Sequence, residues 1–311
     1  MANTASPDLV DDVPVEIVAA PAPPALADAG EPPASHPRSD AELVIEPVGR
    51  FPGLNVRELW FYRGLFYHMV WRDLKIRYQQ TVLGVGWALI QPLISTFLFT
   101  IIFGRLAKVP SDGVPYPVFA LAAMVPWTFF STSFANSSMS LVNNAALLSK
   151  IYFPRLIIAW TPVLVGLVDV AISAFLVAAA LAVFRVTPSP SALLVVPALL
   201  LVLTLAAAGV GALLAALNIE FRDVKYIVPF LSQLWMYASP IVYPLSIIPP
   251  RFRLLYSLNP LAGIIEGIRA SLFGRPLPWG PIAVSTASTL LLFVFGVLYF
   301  RRTEPRFADV A

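Results

Sequence analysis

The residues of this chain that could do chemistry are few, and most lie at the borders of long apolar segments. The densest group is the run Arg72-Asp73-Leu74-Lys75-Ile76-Arg77-Tyr78, directly before the first such segment. Basic side chains at the level of membrane headgroups attract anionic lipid and phosphate groups. The run therefore predicts contact with a charged headgroup, although the same charges would also orient the chain in a membrane.

Residue types for hydrolytic or metal chemistry are scarce. The sequence has no cysteine, its two histidines are His36 and His68, and it contains no H-E-x-x-H motif. Glu220 and Asp223 stand in a loop too short for a glycosyltransferase site. A membrane-embedded enzyme is therefore disfavoured. The chain also lacks a G-x-x-x-x-G-K-[ST] loop, so it cannot cradle ATP phosphates in the usual way.

Asp169 is the sole acidic residue in the middle of an apolar segment. A charge at that depth costs about 3 kcal/mol or more, so a carboxylate there points to a functional site. Asp169 could pair with a cation or line an aqueous path. It could equally be protonated and hydrogen-bonded to a neighbouring helix, because the sequence shows no basic residue at a similar depth.

The apolar segments set the fold class. Of the 311 residues, 58% are hydrophobic and only 13% are charged. A membrane-spanning helix needs about 20 mostly apolar residues. We therefore expect an all-α membrane protein with six transmembrane helices, at 83–104, 115–139, 155–184, 191–217, 226–245 and 280–300.

Both ends of the chain differ from this membrane domain. Residues 1–50 hold nine acidic residues, two arginines and nine prolines, a composition typical of a disordered segment. Six spans put both termini on one side, and lysine and arginine are more frequent in the loops on that side. The bias predicts cytoplasmic termini, with residues 301–311 as a C-terminal cytoplasmic tail.

Residues 51–82 predict an amphipathic helix lying on the membrane surface. One face is apolar and the other carries His68, Arg72, Lys75 and Gln79. This spacing is typical of an interfacial helix, although a helix packed against protein would show it too. The apolar positions are Leu59, Tyr62, Phe66, Met69, Val70 and Leu74.

The connection at about 246–279 is too apolar for a solvated loop and too interrupted by proline for a span. Asn259 is a plausible N-cap and Pro260 a plausible first helical residue. We expect two short re-entrant helices that form an outer gate, which is tolerated only where protein or water surrounds them. A surface helix resting in the headgroups is the alternative.

Polar and aromatic residues inside the spans form stripes. Ser133, Ser137, Ser140 and Asn144 share one face of the second span. A wall that mixes aromatic rings with hydrogen-bonding groups suits a sliding glycan, whereas helix-to-helix bonds and space filling are the alternative roles. Small residues at Ala208, Ala212 and Ala216 instead predict that the fourth span is a packing helix. The candidate channel-lining residues are Trp87, Gln91, Trp127, Phe130, Phe134, Ser137 and Tyr237.

Several motifs follow one another along the chain: Arg72-Asp73-Leu74-Lys75 with Arg77-Tyr78, Thr81-Val82-Leu83-Gly84 with Trp87, Lys150-Ile151-Tyr152-Phe153-Pro154-Arg155, Phe221-Arg222-Asp223, Ser239-Pro240-Ile241-Val242-Tyr243-Pro244, and Asn259-Pro260-Leu261. Together they resemble permease subunits of ABC-type polysaccharide exporters, the Wzm- and KpsM-like proteins. The resemblance covers about 57–300, and the acidic tail lies outside it.

The resemblance implies the channel-forming subunit of an ATP-driven exporter of lipid-linked polysaccharide, of the O-antigen, capsule, teichoic acid or galactan type. It implies a homodimer in the bacterial cytoplasmic membrane, paired with two nucleotide-binding subunits that hold ATP and Mg. This chain would carry no cofactor. Its other partners would be a polyprenyl-pyrophosphate-linked glycan and membrane lipid, not nucleic acid. A related permease that exports a drug or a lipid is the alternative.

The resemblance also implies roles for particular residues within a permease domain at 83–300. The loop 143–155 would be a coupling loop docking on the ATPase, and 246–275 would be external gate helices. Arg72, Lys75 and Arg77 would meet the lipid headgroup at the entrance. The gate residues would be Tyr243, Asn259, Pro260, Glu266 and Arg269. The ATPase-coupling residues would be Lys150, Ile151, Tyr152, Phe153, Arg155, Glu220, Arg222 and Asp223.

Overall fold

A computed structural model of the chain describes residues 56–79, 84, 86–148 and 153–307, and these residues form helices and loops without any strand. Within these ranges five helices are long and apolar enough to cross a membrane: Gly86–Leu106, Tyr116–Asn143, Leu156–Val183, Ala192–Glu220 and Trp279–Thr303. The all-α membrane class is confirmed for this part of the chain. The expectation for residues 1–50 lies outside the described residues.

Eleven α-helices follow one another in the described ranges. They are α1 (Val56–Phe61), α2 (Arg63–Gln79), α3 (Gly86–Phe99), α4 (Tyr116–Asn143), α5 (Ala145–Leu148), α6 (Leu156–Val183), α7 (Ala192–Glu220), α8 (Val224–Tyr237), α9 (Pro250–Tyr256), α10 (Pro260–Leu272) and α11 (Trp279–Thr303). A π-helical stretch, Thr100–Leu106, extends α3. Residues 301–303 thus belong to α11, and Glu304–Arg306 form a 3-10 turn instead of a free tail.

The expected fifth span is not one continuous helix. α8 has 14 residues, which is short of the length that crosses a bilayer. It ends just before Ser239-Pro240, where proline cannot supply a backbone N–H. The apolar residues that follow, such as Ile241 and Val242, are buried in protein. Apolar composition made 226–245 look like a span, but part of that composition serves internal packing.

The expected interfacial helix consists of α1 and α2, and its apolar face packs against the protein. Met69 is 4% exposed and lies in a cluster with Leu156 and Phe300, and Leu59 and Phe66 pack at its edge. A helix packed against protein was the alternative to an interfacial helix in the sequence analysis. The exposed aromatic residues of the two helices are Trp60, Phe61, Tyr67 and Trp71.

The core forms around α4 and α7. α4 packs against α3, α6, α7, α8 and α10, and α7 packs most extensively against α4 and α11. Ala212 and Ala216 are fully buried, so the prediction that the fourth span is a packing helix is confirmed. Gly209 of α7 lies against Gly296 of α11, and a Cβ atom at Gly296 would overlap the Gly209 carbonyl group.

The α7–α11 contact generates a stability prediction. Gly296→Ala should lower the free energy of unfolding by about 1–3 kcal/mol, because the added methyl group forces the two backbones apart. Gly64→Ala is the control, since nothing lies within 4 Å of a Cβ atom there. Thermal unfolding of the purified chain in detergent measures both. Equal stability of the two variants would contradict the close contact.

Candidate functional site

The backbone after α8 is non-helical, yet its carbonyl groups are hydrogen-bonded. Buried carbonyls need donors, and a membrane interior supplies no water. Side chains from α4, α9 and α10 and from the segment itself supply the donors. The bonds run from Tyr116 Oη to Val242 O (2.8 Å), Tyr243 Oη to Tyr237 O (3.0 Å), Tyr256 Oη to Ala238 O (2.8 Å) and Asn259 Nδ2 to Ala238 O (3.0 Å).

Arg269 completes this arrangement from α10. Its side chain is only 2% exposed, although an arginine remains charged in a protein. Nη1 donates to Pro240 O (2.6 Å), and Nη2 donates to Ile241 O (2.6 Å). Nε donates to Phe119 O (3.2 Å), and the guanidinium lies 3.6 Å from the centre of the Phe119 ring. One buried cation therefore joins α10, the segment after α8 and the start of α4.

Two other expected gate residues define the start of α10. Asn259 Oδ1 accepts from the backbone N–H of Leu261 (3.1 Å) and from Trp235 Nε1 (3.0 Å). Pro260 is the first residue of the helix. The N-cap and first-residue predictions are confirmed. Glu266 borders a cavity of about 380 Å³ at the 245–254 segment.

Asp169 has a basic partner, which the sequence did not reveal. Arg77 Nη2 lies 2.8 Å from Asp169 Oδ2, and Tyr78 Oη donates to Asp169 Oδ1. Burial and the bond to Asp169 raise the pKa of Tyr78, so the phenol stays protonated at neutral pH. The C-terminal end of α2 is thereby fastened to the middle of α6. Arg77 is thus partly structural.

Cavities lie on both sides of this ion pair. A cavity of about 510 Å³ lies between α2, α4 and α6, and one of about 240 Å³ lies between α3, α4 and α6. Arg77 lines both. Four polar residues of α4 line these cavities, and the sequence analysis did not select them as candidates. Their helical spacing, which places them on one side of α4, was the signal that could have identified them. They are Thr128, Thr132, Asn136 and Asn143.

The candidate channel residues separate into a buried and an exposed group. Trp127, Phe130, Phe134 and Ser137 are at most 5% exposed, so these four pack inside the protein in this structure. The serine stripe of α4 also faces inward, because Ser137 Oγ donates to Ala159 O. Trp87, Gln91 and Tyr237 are exposed. Tyr237 continues an exposed row on α8 with Tyr226, Phe230 and Gln233.

The candidate coupling residues lie at the opposite end of the helices from the non-helical segment after α8. Arg222 and Lys225 border a cavity of about 270 Å³ that Val142 and Ala145 also line, so the α7–α8 loop lies beside the start of the α4–α6 loop. Glu220 and Asp223 are exposed. Lys150, Ile151 and Tyr152 lie outside the described residues.

Two further coupling residues do not form a free docking surface. Phe153 is 4% exposed and packs in the protein core. Arg155 Nη1 donates to the backbone carbonyl of Glu304 (2.6 Å). The sequence reading missed Glu304 because it lay in a supposed tail. Arg72 and Lys75, the expected entrance residues, are exposed on α2, and Arg72 Nη2 donates to Asn144 Oδ1 (3.1 Å).

The sequence is similar to a known family of membrane proteins. Residues 64–273 match the family described as ABC-2 type transporter. The chain is 30% identical over 254 residues to the O-antigen export system permease protein RfbA of Myxococcus xanthus, covering 80% of this chain and 96% of that protein. It is 29% identical to the Klebsiella pneumoniae protein of that name, covering 77% and 92%. The polysialic acid transport protein KpsM of Escherichia coli is 24% identical, covering 75% and 91%.

Replacing Arg269 tests its hydrogen bonds to the segment after α8. Arg269→Met should lower the free energy of unfolding by about 3 kcal/mol or more, because several buried carbonyls lose their donor. Arg251→Met is the control, since Arg251 is exposed and makes no hydrogen bond within the described ranges. Thermal unfolding in detergent compares the two. Equal losses would contradict the role of Arg269.

A double-mutant cycle tests the pair in α2 and α6. Arg77→Gln should destabilise the protein by about 1–2 kcal/mol, because it leaves the Asp169 charge without its cation, although water screens the partly exposed Arg77. Adding Asp169→Asn should recover part of that loss, since both charges are then absent. Denaturation of the single and double variants gives the coupling free energy. Strictly additive losses would show that the pair is not coupled.

Proposed function

Because the chain belongs to the ABC-2 type transporter family, we propose that it is the transmembrane subunit of an ATP-driven exporter of lipid-linked polysaccharide. The alignment with the Myxococcus xanthus O-antigen export permease carries this proposal, since it spans 96% of that protein. The polysaccharide would be of the O-antigen, capsule, teichoic acid or galactan type. The membrane would be the bacterial cytoplasmic membrane, with both termini in the cytoplasm, which requires that α8 and the segment after it together form a sixth crossing.

Energy for export would come from a separate subunit. The sequence contains no phosphate-binding loop of the G-x-x-x-x-G-K-[ST] type, so ATP and Mg would belong to that partner. Arg222 and Lys225 beside the start of the α4–α6 loop support a docking surface built from both loops. Exposed arginine and aromatic residues commonly anchor such surfaces, and Phe221 is 55% exposed. Two ATPase copies would serve a homodimer of this chain.

The exposed row on α8 supports a channel between two copies of the chain. A glutamine facing lipid from an apolar helix would lack hydrogen-bond partners. Gln233 is exposed on α8 between the aromatic rings of Phe230 and Tyr237. A water-filled path between two subunits would solvate Gln233, and the rings would contact the apolar faces of sugars. Trp87 and Gln91 on α3 would extend this lining.

The carrier lipid would enter at α2. Arg72 and Lys75 are exposed there, and the cavity of about 510 Å³ beside Arg72 is lined by asparagine, serine and threonine side chains. Basic groups at the headgroup level attract a pyrophosphate, and the amides and hydroxyls suit the first sugars. Arg77 would contribute less to headgroup binding than its position in the sequence indicated, because it pairs with Asp169.

Substitutions on the α8 row test the function. Tyr226→Leu with Tyr237→Leu should reduce surface polysaccharide about tenfold, a loss of about 1.4 kcal/mol in favourable contact with the moving chain. Co-purification of the ATPase subunit should be unchanged. Phe175→Leu is the matched control, because Phe175 is an aromatic residue 78% exposed on α6.

The measurement is quantitative detection of surface polysaccharide in a deletion strain that carries each variant. Restoration of export by the unaltered chain is the primary result that the proposal requires. The proposed function would be overturned if the unaltered chain restored no export, or if it never co-purified with an ATP-binding subunit. Equal export by the α8 and Phe175 variants would overturn only the channel face.

A further inference from the structure

The carboxylate of Glu304 lies where the end of α11 meets the start of α6. Glu304 Oε1 accepts a hydrogen bond from the backbone N–H of Arg155 (3.1 Å), and Oε2 pairs with Arg301 Nη1 (3.1 Å). The Glu304 carbonyl accepts from Arg155 Nη1 (2.6 Å). Arg155 closes the 143–155 loop and leads into α6. The loop is therefore attached to α11 by side-chain and backbone bonds together.

The same group of charges reaches α1. Arg301 Nη2 lies 3.6 Å from Glu58 Oε2. The side chains of Arg301 and Glu304 are 11% and 17% exposed, so water and salt screen this pair less than an ion pair on the surface. Three segments far apart in sequence thus share one shielded charge network.

Apolar packing reinforces the attachment. Phe307 is 2% exposed, and its ring lies 5.3 Å from the ring of Phe300. Leu148 and Phe153, both in the 143–155 loop, belong to the same buried cluster. Both flanks of the loop therefore pack with the end of α11.

The other end of α11 is attached to the gate segment. Ser285 Oγ accepts from the backbone N–H of Gly263 (2.9 Å) and contacts the carbonyl oxygens of Ser257 (2.8 Å) and Asn259 (3.0 Å). Gly263 lies so close to Pro281 that a Cβ atom would overlap the Pro281 carbonyl group. α9, α10 and the start of α11 are consequently held together.

α11 also differs in its proline content from the other four membrane-length helices of the described ranges. Proline inside a helix removes a hydrogen bond and allows a kink. The helices α3, α4, α6, α7 and α8 each contain an internal proline, at Pro92, Pro126, Pro162, Pro197 and Pro229. Pro281 of α11 lies in the first turn, where proline fits a helix. From Ser285 to Glu304 the chain advances about 28 Å without a proline.

We propose that α11 carries ATPase-driven movement from the 143–155 loop to the gate helices α9 and α10, and that Glu304 is the positioning residue that fixes the loop to α11. This inference rests on the proposed function, because it assigns a mechanical route within the exporter. Movement of the loop displaces Glu304 and Phe307 with it. α11 transmits that displacement to Ser285, and thus to α10 and its buried Arg269.

Export per ATP hydrolysed tests the role of Glu304. In the reconstituted complex with the ATPase subunit, Glu304→Ala should lower this ratio about five- to tenfold, the range of a moderate coupling free energy. The ATP hydrolysis rate should stay near that of the unaltered complex. Glu304→Gln should lie between the two, because its amide oxygen still accepts from the Arg155 N–H.

Arg301 and Arg302 give a matched pair of substitutions. Arg301→Gln should reduce the ratio because Arg301 pairs with Glu304 and Glu58. Arg302→Gln should leave it unchanged, since Arg302 is exposed and has no contact of this kind in the described ranges. The inference would be overturned if Glu304→Ala lowered export and ATP hydrolysis in proportion. It would also be overturned if the ratio of export to hydrolysis stayed unchanged in the intact Glu304→Ala complex.

A second measurement does not depend on polysaccharide. The chain has no cysteine, so Leu255→Cys, at a position 64% exposed on α9, can be labelled alone with a maleimide in nanodiscs. ATP should change its labelling rate in the otherwise unaltered complex and not with Glu304→Ala. An ATP response without any glycan export would refute the proposed substrate while supporting the route. The same ATP response in both complexes would overturn the route.

Discussion

The buried backbone carbonyls of Pro240, Ile241 and Val242, which follow α8, must be hydrogen-bonded where helix geometry does not satisfy them, and the packing around this segment follows from that requirement. Arg269 supplies donors to Pro240 and Ile241, and Tyr116 supplies one to Val242. These donors lie on α10 and α4, so the two helices cannot separate from the segment without exposing unsatisfied groups. The energetic cost of each such group is about 1–3 kcal/mol.

This constraint explains why a break in an apolar segment can be stable and still serve transport. A short α8 leaves room for α9 and α10 before the chain crosses back through α11. Because α10 is bound to α11 by Ser285 and to the break by Arg269, a shift of one helix alters the other. Rigid attachment at a few polar points is how packed helices pass on a displacement instead of absorbing it. Comparable polar attachments lie at Glu304, where the end of α11 meets the start of α6, and at Asp169 in the middle of α6.

Local signals in the sequence predicted the parts of this structure that depend on local physics. Apolar length predicted the long helices, and the small residues of α7 predicted its burial. Asn259-Pro260 predicted the start of α10. The end of α8 escaped prediction because Ile241 and Val242 are equally apolar whether they face lipid or protein. The serine stripe of α4 suggested a channel wall, but it faces the protein interior. A serine hydroxyl can be satisfied by a carbonyl of its own helix, as Ser140 is by Ser137 O, so a serine indicates neither a pore nor a packed face by itself. Tyr78 and Asp169 are 91 residues of chain apart, and Arg77 is one residue farther, so only the fold brings this group together.

Locating the end of α8 by experiment tests the central claim most directly. Electron cryo-microscopy of the full chain with its ATPase subunit in nanodiscs would resolve this region. The account predicts that α8 ends at Tyr237 and that the Arg269 guanidinium lies within hydrogen-bond distance of the Pro240 and Ile241 carbonyl oxygens. A helix that continues unbroken from Val224 through Leu245, with Arg269 directed elsewhere, would contradict it.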